Sequence, residues 1–342
     1  MFRSDKRSLA ALFLTSAMMA AGLPTAHAQQ LEPKTRAFID GLAGAPPIYT
    51  LPVPAARNLL AAAQKSVPVT LAPASFEDRV LPAGPTGRTA IRVYRPEGAA
   101  GPLPVVIYSH GGGWVLGDKA THERLLREIA VGANAVVVFV DYDRSPESRY
   151  PIAIEQIYAA LAYVAQHPGE FGADAARIAL AGDSVGGNMS AVVAIMAKER
   201  SGPRIAAQAL IYPVTDASMS TPSYRQFADG PWLTKKAMAW FWEQYLPDAA
   251  KRADIHVSPI NASTEQLRGL PRALVLTDEN DVLRDEGEIY GRKLAAAGVA
   301  VTSTRYNGTI HDFLLLNPIA ETPAVRAAVD QLNGYLRTAF AD

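Results

Sequence analysis

Hydrophobic residues from position 104 onward fall into short continuous runs. The runs are "PVVIY" (104–108), "AVVVFV" (135–140), "RIALAG" (177–182), "AQALIY" (207–212) and "RALVLTDEN" (272–280). Helical patterns lie between and after them, near 122–131, at 151–166, 187–198 and 285–297, and near 323–340. Apolar runs that alternate with helices are typical of strands buried on both faces of a sheet. The pattern therefore predicts an α/β fold: a mostly parallel central sheet with helices on both faces.

A different pattern, alternation of apolar and polar residues, precedes these runs. It begins at Phe76 in "FEDRVLPAG" and continues in "TAIRVYRPEG", with glycine and proline between the two stretches. A period of two with turn residues between the stretches indicates antiparallel strands. We expect these strands to lead into the sheet, and we expect a last strand at "VTSTRY" (301–306).

Two segments fit neither pattern, and we expect them to form a helical cap over a single domain that spans 29–342. The first, about 29–72, contains short helical pieces rich in proline and alanine, and the second, 214–256, is helical and strongly aromatic. The aromatic residues of the second segment are Trp240, Phe241, Trp242 and Tyr245. At helical spacing, most of them are expected to seat the cap on the core.

The first 28 residues have the organisation of a secretory signal peptide. Arg3, Lys6 and Arg7 precede an apolar stretch from 9 to about 23, and the small-residue site "AHA" ends at Ala28. The apolar stretch is short for a membrane span, and the small-residue site disfavours an uncleaved anchor. We expect cleavage after Ala28, export to the periplasm or medium, and no stable membrane association afterwards.

Composition restricts the classes of partner. The chain has 33 basic and 33 acidic residues, so it lacks the excess of positive charge that is typical of proteins that bind nucleic acid or an anionic membrane. It contains no cysteine, which excludes disulfides and thiol catalysis. A small neutral or weakly charged molecule is therefore the expected partner, while the oligomeric state stays open.

The segment "AGDSVGG" (181–187) contains Gly182, Ser184 and Gly186 at Gly-x-Ser-x-Gly spacing. A predicted strand precedes it and a predicted helix follows it, the context in which this motif forms a sharp turn that exposes a nucleophilic serine. Small residues are needed on both sides because the turn crowds the backbone. We predict that Ser184 is the nucleophile of a serine hydrolase.

Three consecutive glycines in "SHGGGWVLGD" (109–118) follow another predicted strand. Attack of a serine on an ester builds negative charge on the carbonyl oxygen, and backbone N–H donors stabilise that charge. Glycine presents its amide without a Cβ that blocks the approach. The backbone amides of Gly112, Gly113 and Val185 are therefore the predicted oxyanion hole.

A serine nucleophile requires a histidine base, and the chain has six histidines. His311 in "NGTIHDF" is the one that follows the last strand on a loop near the C-terminus. The others lie in the signal peptide, the glycine loop, or earlier helix, turn and cap contexts: His27, His110, His122, His167 and His256. We therefore choose His311 as the general base.

The carboxylate that orients the histidine is expected on the loop after the preceding strand. The segment "TDENDVLRDEG" offers Asp278, Glu279, Asp281 and Asp285. Asp278 is expected to lie still in the strand and Asp285 in the first turn of the following helix. Asp281 is our choice, which gives the chain order serine, aspartate, histidine.

Together, "HGGGW", "GDSVGG", "DVLRDEGEIYGRKLAAAGV" and "RYNGTIHDF" resemble the bacterial hormone-sensitive-lipase family of α/β-hydrolase esterases. The resemblance covers essentially the whole mature chain, including the two cap segments. It implies an α/β-hydrolase fold and hydrolysis of carboxylic esters without a cofactor or metal ion, by a triad of Ser184, Asp281 and His311. The positions that support the motifs are His110, Gly111, Gly182, Asp183 and Gly186.

Some features depart from the family pattern or leave alternatives open. "YDRSPE" (142–147), Val185 and Val282 replace commoner family residues, and Asp312 beside His311 is expected to face solvent.

An amidase or arylformamidase would use the same triad, and a non-catalytic binding protein would use the same fold. Because charged residues are mixed with the aromatics of the cap, we predict an esterase for short acyl chains rather than an interfacial lipase.

Overall fold

Eight strands of the described chain form one sheet. The structure, a computed structural model, describes residue 1 and residues 30–341, and Leu31–Asp342 cluster in one compact unit. The predicted signal peptide apart from its first residue, and the predicted cleavage site, lie outside the described residues. The strands are β1 (Ala74–Leu81), β2 (Thr89–Pro96), β3 (Leu103–Ser109), β4 (Val136–Val140), β5 (Ala173–Asp183), β6 (Ala207–Ile211), β7 (Arg272–Asn280) and β8 (Val301–Ile310).

The helices lie before and between these strands and after the last of them. They are α1 (Pro33–Asp40), α2 (Val53–Lys65), α3 (Glu123–Ala133), α4 (Ile152–Gln166), α5 (Val185–Glu199), α6 (Pro222–Gln226), α7 (Lys235–Tyr245), α8 (Thr264–Leu267), α9 (Arg284–Ala296) and α10 (Pro323–Ala341). Every strand and helix that the hydrophobic pattern predicts is present, with small differences in the end residues.

The sheet has the order β1-β2-β4-β3-β5-β6-β7-β8. Strands β3 to β8 are parallel, whereas β2 pairs antiparallel with both β1 and β4. Both predictions, a mostly parallel sheet and an antiparallel pair that leads into it, are therefore confirmed. In the register of β3 and β5, Ser109 pairs with Gly182, so the loops that follow these two strands emerge side by side at one edge.

The central strands are buried because they carry apolar side chains on both faces. Every residue of β3, β4 and β6 is buried. Helix α5 is buried over its first thirteen residues, Val185 to Ala197, and is rich in small side chains. Burial removes apolar surface from water, which is the dominant favourable contribution to folding. The sheet is therefore a rigid platform for the loops at its carboxyl edge.

Strand β8 is longer than the hydrophobic pattern predicts. The pattern ends the strand at Tyr306, but the structure continues it to Ile310, although Gly308 has a positive φ of 72°. The extension is held by pairing with the end of β7, where Asn280 faces Ile310 after an irregularity in the register. This long-range pairing places the next residue, His311, at the edge of the sheet.

The first predicted cap segment contains α1 and α2, and α2 is hydrogen bonded to loops at the carboxyl edge of the sheet. Gln64 Nε2 donates to the carbonyl oxygens of Thr121 at 2.6 Å and Leu315 at 2.9 Å. Arg57 Nε donates to the carbonyl oxygen of Val115 at 2.8 Å. These bonds fix α2 against the segment that follows the glycine loop and the segment that follows His311.

The second predicted cap segment contains α6 and α7. Thr234 caps α7 by accepting a hydrogen bond from the backbone of Ala237. Trp114, which follows the glycines, stacks on Tyr245 with ring centroids 4.1 Å apart and lies 4.5 Å from the ring of Trp242. All three rings are buried, so the prediction that the aromatics of this helix mainly seat it on the core is confirmed for Trp242 and Tyr245. Among the described residues, no helix is both long and apolar enough to cross a membrane.

Candidate active site

Ser184 lies in the sharp turn between β5 and α5. Its φ of 55° and ψ of −121° are outside the regions that non-glycine residues commonly adopt. Its amide donates to the carbonyl oxygen of Ile211 at 2.8 Å, which fixes the strained turn to β6. A Cβ on Gly186 would lie 1.9 Å from the carbonyl oxygen of Ser109, and one on Gly182 would lie 2.4 Å from that of Gly186. The turn therefore requires glycine at both motif positions.

The structure brings Ser184, Asp281 and His311 together from three loops. His311 Nε2 lies 2.9 Å from Ser184 Oγ, and His311 Nδ1 lies 2.8 Å from Asp281 Oδ2. The second oxygen of Asp281 accepts from the amide of Leu283 at 3.0 Å. Asp281 lies between the end of β7 and the start of α9, the location that the sequence predicts. One imidazole thus bridges a hydroxyl and a carboxylate, an arrangement that can transfer a proton from serine to histidine.

The surroundings of His311 favour its protonated form. Burial alone would lower the pKa of this imidazole, but the carboxylates of Asp281 and Asp312 outweigh burial and raise the pKa to about 9. The ring of Tyr212 contacts the imidazole edge-on, with centroids 4.9 Å apart. The imidazole therefore lies between two carboxylates and the ring of Tyr212.

A second buried carboxyl group, that of Asp278, lies near the imidazole. As predicted, Asp278 is inside β7, and its Oδ2 lies 3.9 Å from His311 Nδ1. Burial, followed by the neighbouring Asp281, raises the pKa of Asp278 well above its usual range, which favours the neutral acid. Asp278, Asp281 and His311 form the one group of the described residues whose spacing could hold a metal ion. We assign Asp281 and His311 to hydrogen bonding because Nδ1 lies 2.8 Å from Asp281 Oδ2.

The glycine loop places backbone amides beside the serine turn. Within the described part of the chain, the amides of Gly112, Gly113 and Val185 have no hydrogen-bond acceptor. Gly112 has a φ of 101°. A Cβ on Gly113 would lie 2.1 Å from the ring of Phe241 in α7. The loop therefore has free donors, and its backbone is in close contact with the cap.

Asp183, the residue before the serine, fastens the glycine loop to the turn. Its Oδ1 accepts from the hydroxyl of Tyr108 at 2.8 Å and from the amide of Gly111 at 3.0 Å. Its Oδ2 lies 3.4 Å from Nε2 of His122, and both side chains are fully buried. Burial alone would raise the pKa of Asp183 and lower that of His122, but their attraction outweighs it: the pKa of Asp183 is lowered and that of His122 is raised. The two form a buried ion pair beneath the loop.

His110 has a structural position in the same loop. Its Nδ1 lies 2.8 Å from the carbonyl oxygen of Gly111, and its ring stacks on Tyr142 with centroids 4.1 Å apart. Burial lowers the pKa of His110 to about 3, so this imidazole is neutral near neutral pH. His110 therefore supports the loop by packing and does not supply charge.

The structure contradicts the expectation that Asp312 faces solvent. Its side chain is 14% exposed, its Oδ2 accepts from Trp232 Nε1 at 2.9 Å, and its Oδ1 lies 3.5 Å from His311 Nε2. The backbone of Asp312 has a φ of 66°, and its carbonyl oxygen accepts from the amides of Leu315 and Leu316. This tight turn directs the side chain toward the histidine, whereas adjacent side chains in an extended segment point apart.

Other residues of the site carry no sequence motif. His122 and Tyr108 contact Asp183, Tyr212 contacts His311, and Trp232 contacts Asp312. The sequence assigns His122 only to a helix region, and Trp232 only to the cap. Each one acts through a contact with a residue that is distant along the chain.

Comparisons with known proteins agree with this geometry. A family model described as "alpha/beta hydrolase fold" matches residues 106–315. The chain is 42% identical to carboxylesterase NlhH of Mycobacterium tuberculosis over 265 residues, 75% of this chain and 82% of that protein. It is 36% identical to ethyl acetate hydrolase of Pseudomonas putida over 236 residues, 68% and 73% of the two chains. The crystal structure of a thermostable esterase from Pseudomonas putida ECU1011 matches with a TM-score of 0.90 and 52% identity, over 92% of this chain and 98% of that one.

The buried ion pair beneath the glycine loop leads to a prediction about stability. Asp183→Ala removes the buried partner of His122, whose imidazole must then lose its proton, and leaves the donors of Tyr108 and Gly111 without an acceptor. We expect the free energy of unfolding, measured with urea, to fall by about 3 to 5 kcal/mol. The control is Asp229→Ala at an exposed position, where a change within about 0.5 kcal/mol is expected. Equal small changes in both variants would contradict this account.

Proposed function

The chain belongs to the hormone-sensitive-lipase-like family of α/β-hydrolase esterases and is a serine carboxylic ester hydrolase, and from this premise we propose that Ser184, Asp281 and His311 cleave esters of short carboxylic acids. The observation that carries the proposal is the pair of hydrogen bonds of His311, 2.9 Å to Ser184 and 2.8 Å to Asp281. The proposed substrate is a small ester, and nothing in the charge balance favours nucleic acid as a partner.

The proposed reaction has two halves. Ser184 Oγ attacks the ester carbonyl carbon as its proton moves to His311 Nε2, and the negative charge on the carbonyl oxygen is stabilised by the amides of Gly112, Gly113 and Val185. His311 then gives this proton to the leaving alcohol, which leaves the acyl group on Ser184. In the second half, water loses a proton to His311 Nε2 as it attacks the acyl carbon, and His311 then returns this proton to Ser184 Oγ as the bond to the acyl group breaks and the acid is released.

Asp281 has a different task from the serine and the histidine. By accepting from Nδ1–H, it holds the tautomer that has a free lone pair on Nε2, and its charge stabilises the imidazolium that forms. The bond from the amide of Leu283 to the other oxygen of Asp281 keeps the carboxylate in one orientation.

The triad assignment predicts losses of different size at Ser184 and Asp281. We expect Ser184→Ala to lower kcat by about a million-fold and Asp281→Asn by about ten-thousand-fold, the latter through loss of tautomer control. Turnover of a para-nitrophenyl ester by the purified variants is the measurement. Asp278→Asn, Asp285→Asn and Asp312→Asn are the matched comparisons, and none of them is expected to approach these losses. A crippling change at one of the three would show that another carboxylate holds the histidine.

The proposed preference for short acyl chains rests on the cap. Helix α7 packs its aromatic face on Trp114, and Phe241 lies directly over Gly113. Its remaining faces carry charged residues such as Lys235, Lys236 and Glu243. We therefore propose that this segment covers a small acyl pocket, whereas an interfacial lipase exposes broad apolar surface. The Pseudomonas putida relative named ethyl acetate hydrolase supports the same substrate class.

The acyl-chain preference predicts a maximum at short chains. Each methylene that the pocket accommodates contributes about 0.8 kcal/mol, and further carbons clash once the pocket is full. We expect kcat/KM on para-nitrophenyl esters to rise from acetate to butyrate or hexanoate and then to fall steeply. The matched acetanilide is the control that separates ester from amide hydrolysis. A maximum at dodecanoate, or a jump in rate at an oil–water interface, would refute the preference for short chains.

We also propose that the chain is exported and that the mature protein begins at Gln29. The support is the sequence of 1–28, with its basic start, apolar centre and small residues before the cleavage site. The mature chain would carry 30 basic and 32 acidic residues.

Intact-mass measurement on the periplasmic fraction tests the export proposal. We expect the mass of a chain that begins at Gln29, because the small residues that end at Ala28 suit signal-peptide cleavage. An Ala28→Trp variant, in which a bulky residue replaces the last small one, is expected to remain unprocessed. A full-length mass in the soluble cellular fraction would count against export.

A further inference from the structure

Two oxygen atoms from different residues approach Nε2 of His311. Ser184 Oγ lies at 2.9 Å and Asp312 Oδ1 at 3.5 Å. In the described structure, Oδ1 is buried and has no hydrogen-bond partner, whereas Oδ2 of the same carboxylate accepts from Trp232 Nε1. A buried carboxylate oxygen without a donor is costly. The nearest group that can become a donor to it is the imidazole once Nε2 is protonated.

We infer that Asp312 is a positioning residue which stabilises the protonated form of His311 from its Nε2 side and so sets the pH at which the enzyme becomes active. The inference rests on the proposed function of His311 as general base. It adds a second carboxylate to the histidine, on the opposite ring nitrogen from Asp281. Asp312 acts through the imidazole and forms no bond with the substrate.

The other charged and titratable groups around His311 do not replace Asp312 in this role. Asp281 and Asp278 lie on the Nδ1 side, and Asp278 favours its neutral form. Tyr212 stays a neutral phenol because burial raises its pKa well above the usual range. The remaining groups whose charge acts on His311 or Asp312 are Asp183, His122 and Tyr108. His122 is already paired with Asp183, and Tyr108 donates to the same carboxylate.

The charge of Asp312 depends on its own contacts. Burial raises the pKa of Asp312 and outweighs the nearby His311 and the hydrogen bond from Trp232, which lower it. The indole N–H therefore favours the ionised carboxylate against the effect of burial. Because Trp232 belongs to the cap and its ring also contacts Phe38 at 5.4 Å, the ionised carboxylate is tied to the cap over the site.

A carboxylate at Nε2 has two opposite effects on the reaction. It stabilises the imidazolium of the resting enzyme, which leaves less neutral histidine available as base at neutral pH. It also stabilises the imidazolium that forms during serine attack, which favours the reaction once the histidine has been deprotonated. Removing the charge therefore extends activity to lower pH and lowers the maximal rate at alkaline pH.

The test measures kcat/KM for para-nitrophenyl acetate from about pH 5 to about pH 10. Asp312→Asn removes the charge and keeps an oxygen that can accept from Trp232. Asp312→Gly removes the side chain at a φ of 66°, which glycine adopts without strain. For both variants we expect the apparent pKa of the acidic limb to fall by about one pH unit and the alkaline plateau to fall by up to about tenfold.

Trp232→Phe is the matched control for a purely structural role. It breaks the same hydrogen bond but leaves the carboxylate beside Nε2 and an aromatic ring against Phe38. Because the lost indole bond also favours the ionised carboxylate, we expect its acidic limb to move in the same direction as that of Asp312→Asn, but by less. If Asp312 only fastened the cap, Trp232→Phe and Asp312→Gly would lower kcat/KM by a similar factor at every pH, and neither variant would move the acidic limb. That outcome, or an unchanged limb in both Asp312 variants, would overturn the inference.

A second readout separates this inference from the proposed ester hydrolysis. A dialkyl aryl phosphate reacts once with an activated serine, and its rate of reaction depends on the same histidine base without any ester turnover. We expect the acidic limb of this inactivation to shift in Asp312→Asn as it does for the ester. A wild-type protein that is inactivated but cleaves no ester would refute the proposed function and still test the role of Asp312.

Discussion

The hydrogen bond between His311 and Ser184 joins two loops that lie 127 residues apart in sequence, and it constrains the geometry of the whole site. Each end is fixed by a different part of the sheet. The serine sits in a strained turn whose amide is bonded to β6, and the histidine follows an extension of β8 that pairs with the end of β7. A hydrogen bond weakens within a few tenths of an ångström, so a rigid sheet with buried central strands is the condition for its formation.

Three buried carboxyl groups surround the histidine, and their hydrogen-bond partners differ. Asp281 contacts Nδ1 at hydrogen-bond distance and Asp278 favours the neutral acid, while at Asp312 the indole of Trp232 and the imidazole favour the charged form against the effect of burial. Three like charges at this spacing would repel one another strongly in a medium of low dielectric constant. Burial without a donor favours the neutral form of Asp278, whereas Asp281 and Asp312 each accept a hydrogen bond from a specific donor.

The two predicted cap segments contribute contacts to this electrostatic arrangement. Helix α2 is bonded to the segments after the glycine loop and after His311, and α7 is stacked on Trp114. Trp232 extends the contact to Asp312. Ser184 and His311 are themselves almost fully buried, and charge interactions are stronger away from water. The aromatic contacts of the predicted cap segment therefore tie it both to the glycine loop and to a carboxylate beside the histidine.

The sequence alone determined the features that local chemistry dictates. Apolar runs on both faces predict the parallel strands, the spacing of Gly182, Ser184 and Gly186 predicts the turn, and the ends of the last two strands locate Asp281 and His311. Only the tertiary structure decided that β8 extends past Gly308, that Asp183 pairs with His122, and that Asp312 turns inward to Trp232 and the histidine. Each of these depends on atoms brought together from distant parts of the chain, and hydrophobic periodicity and motif spacing contain no information about such contacts.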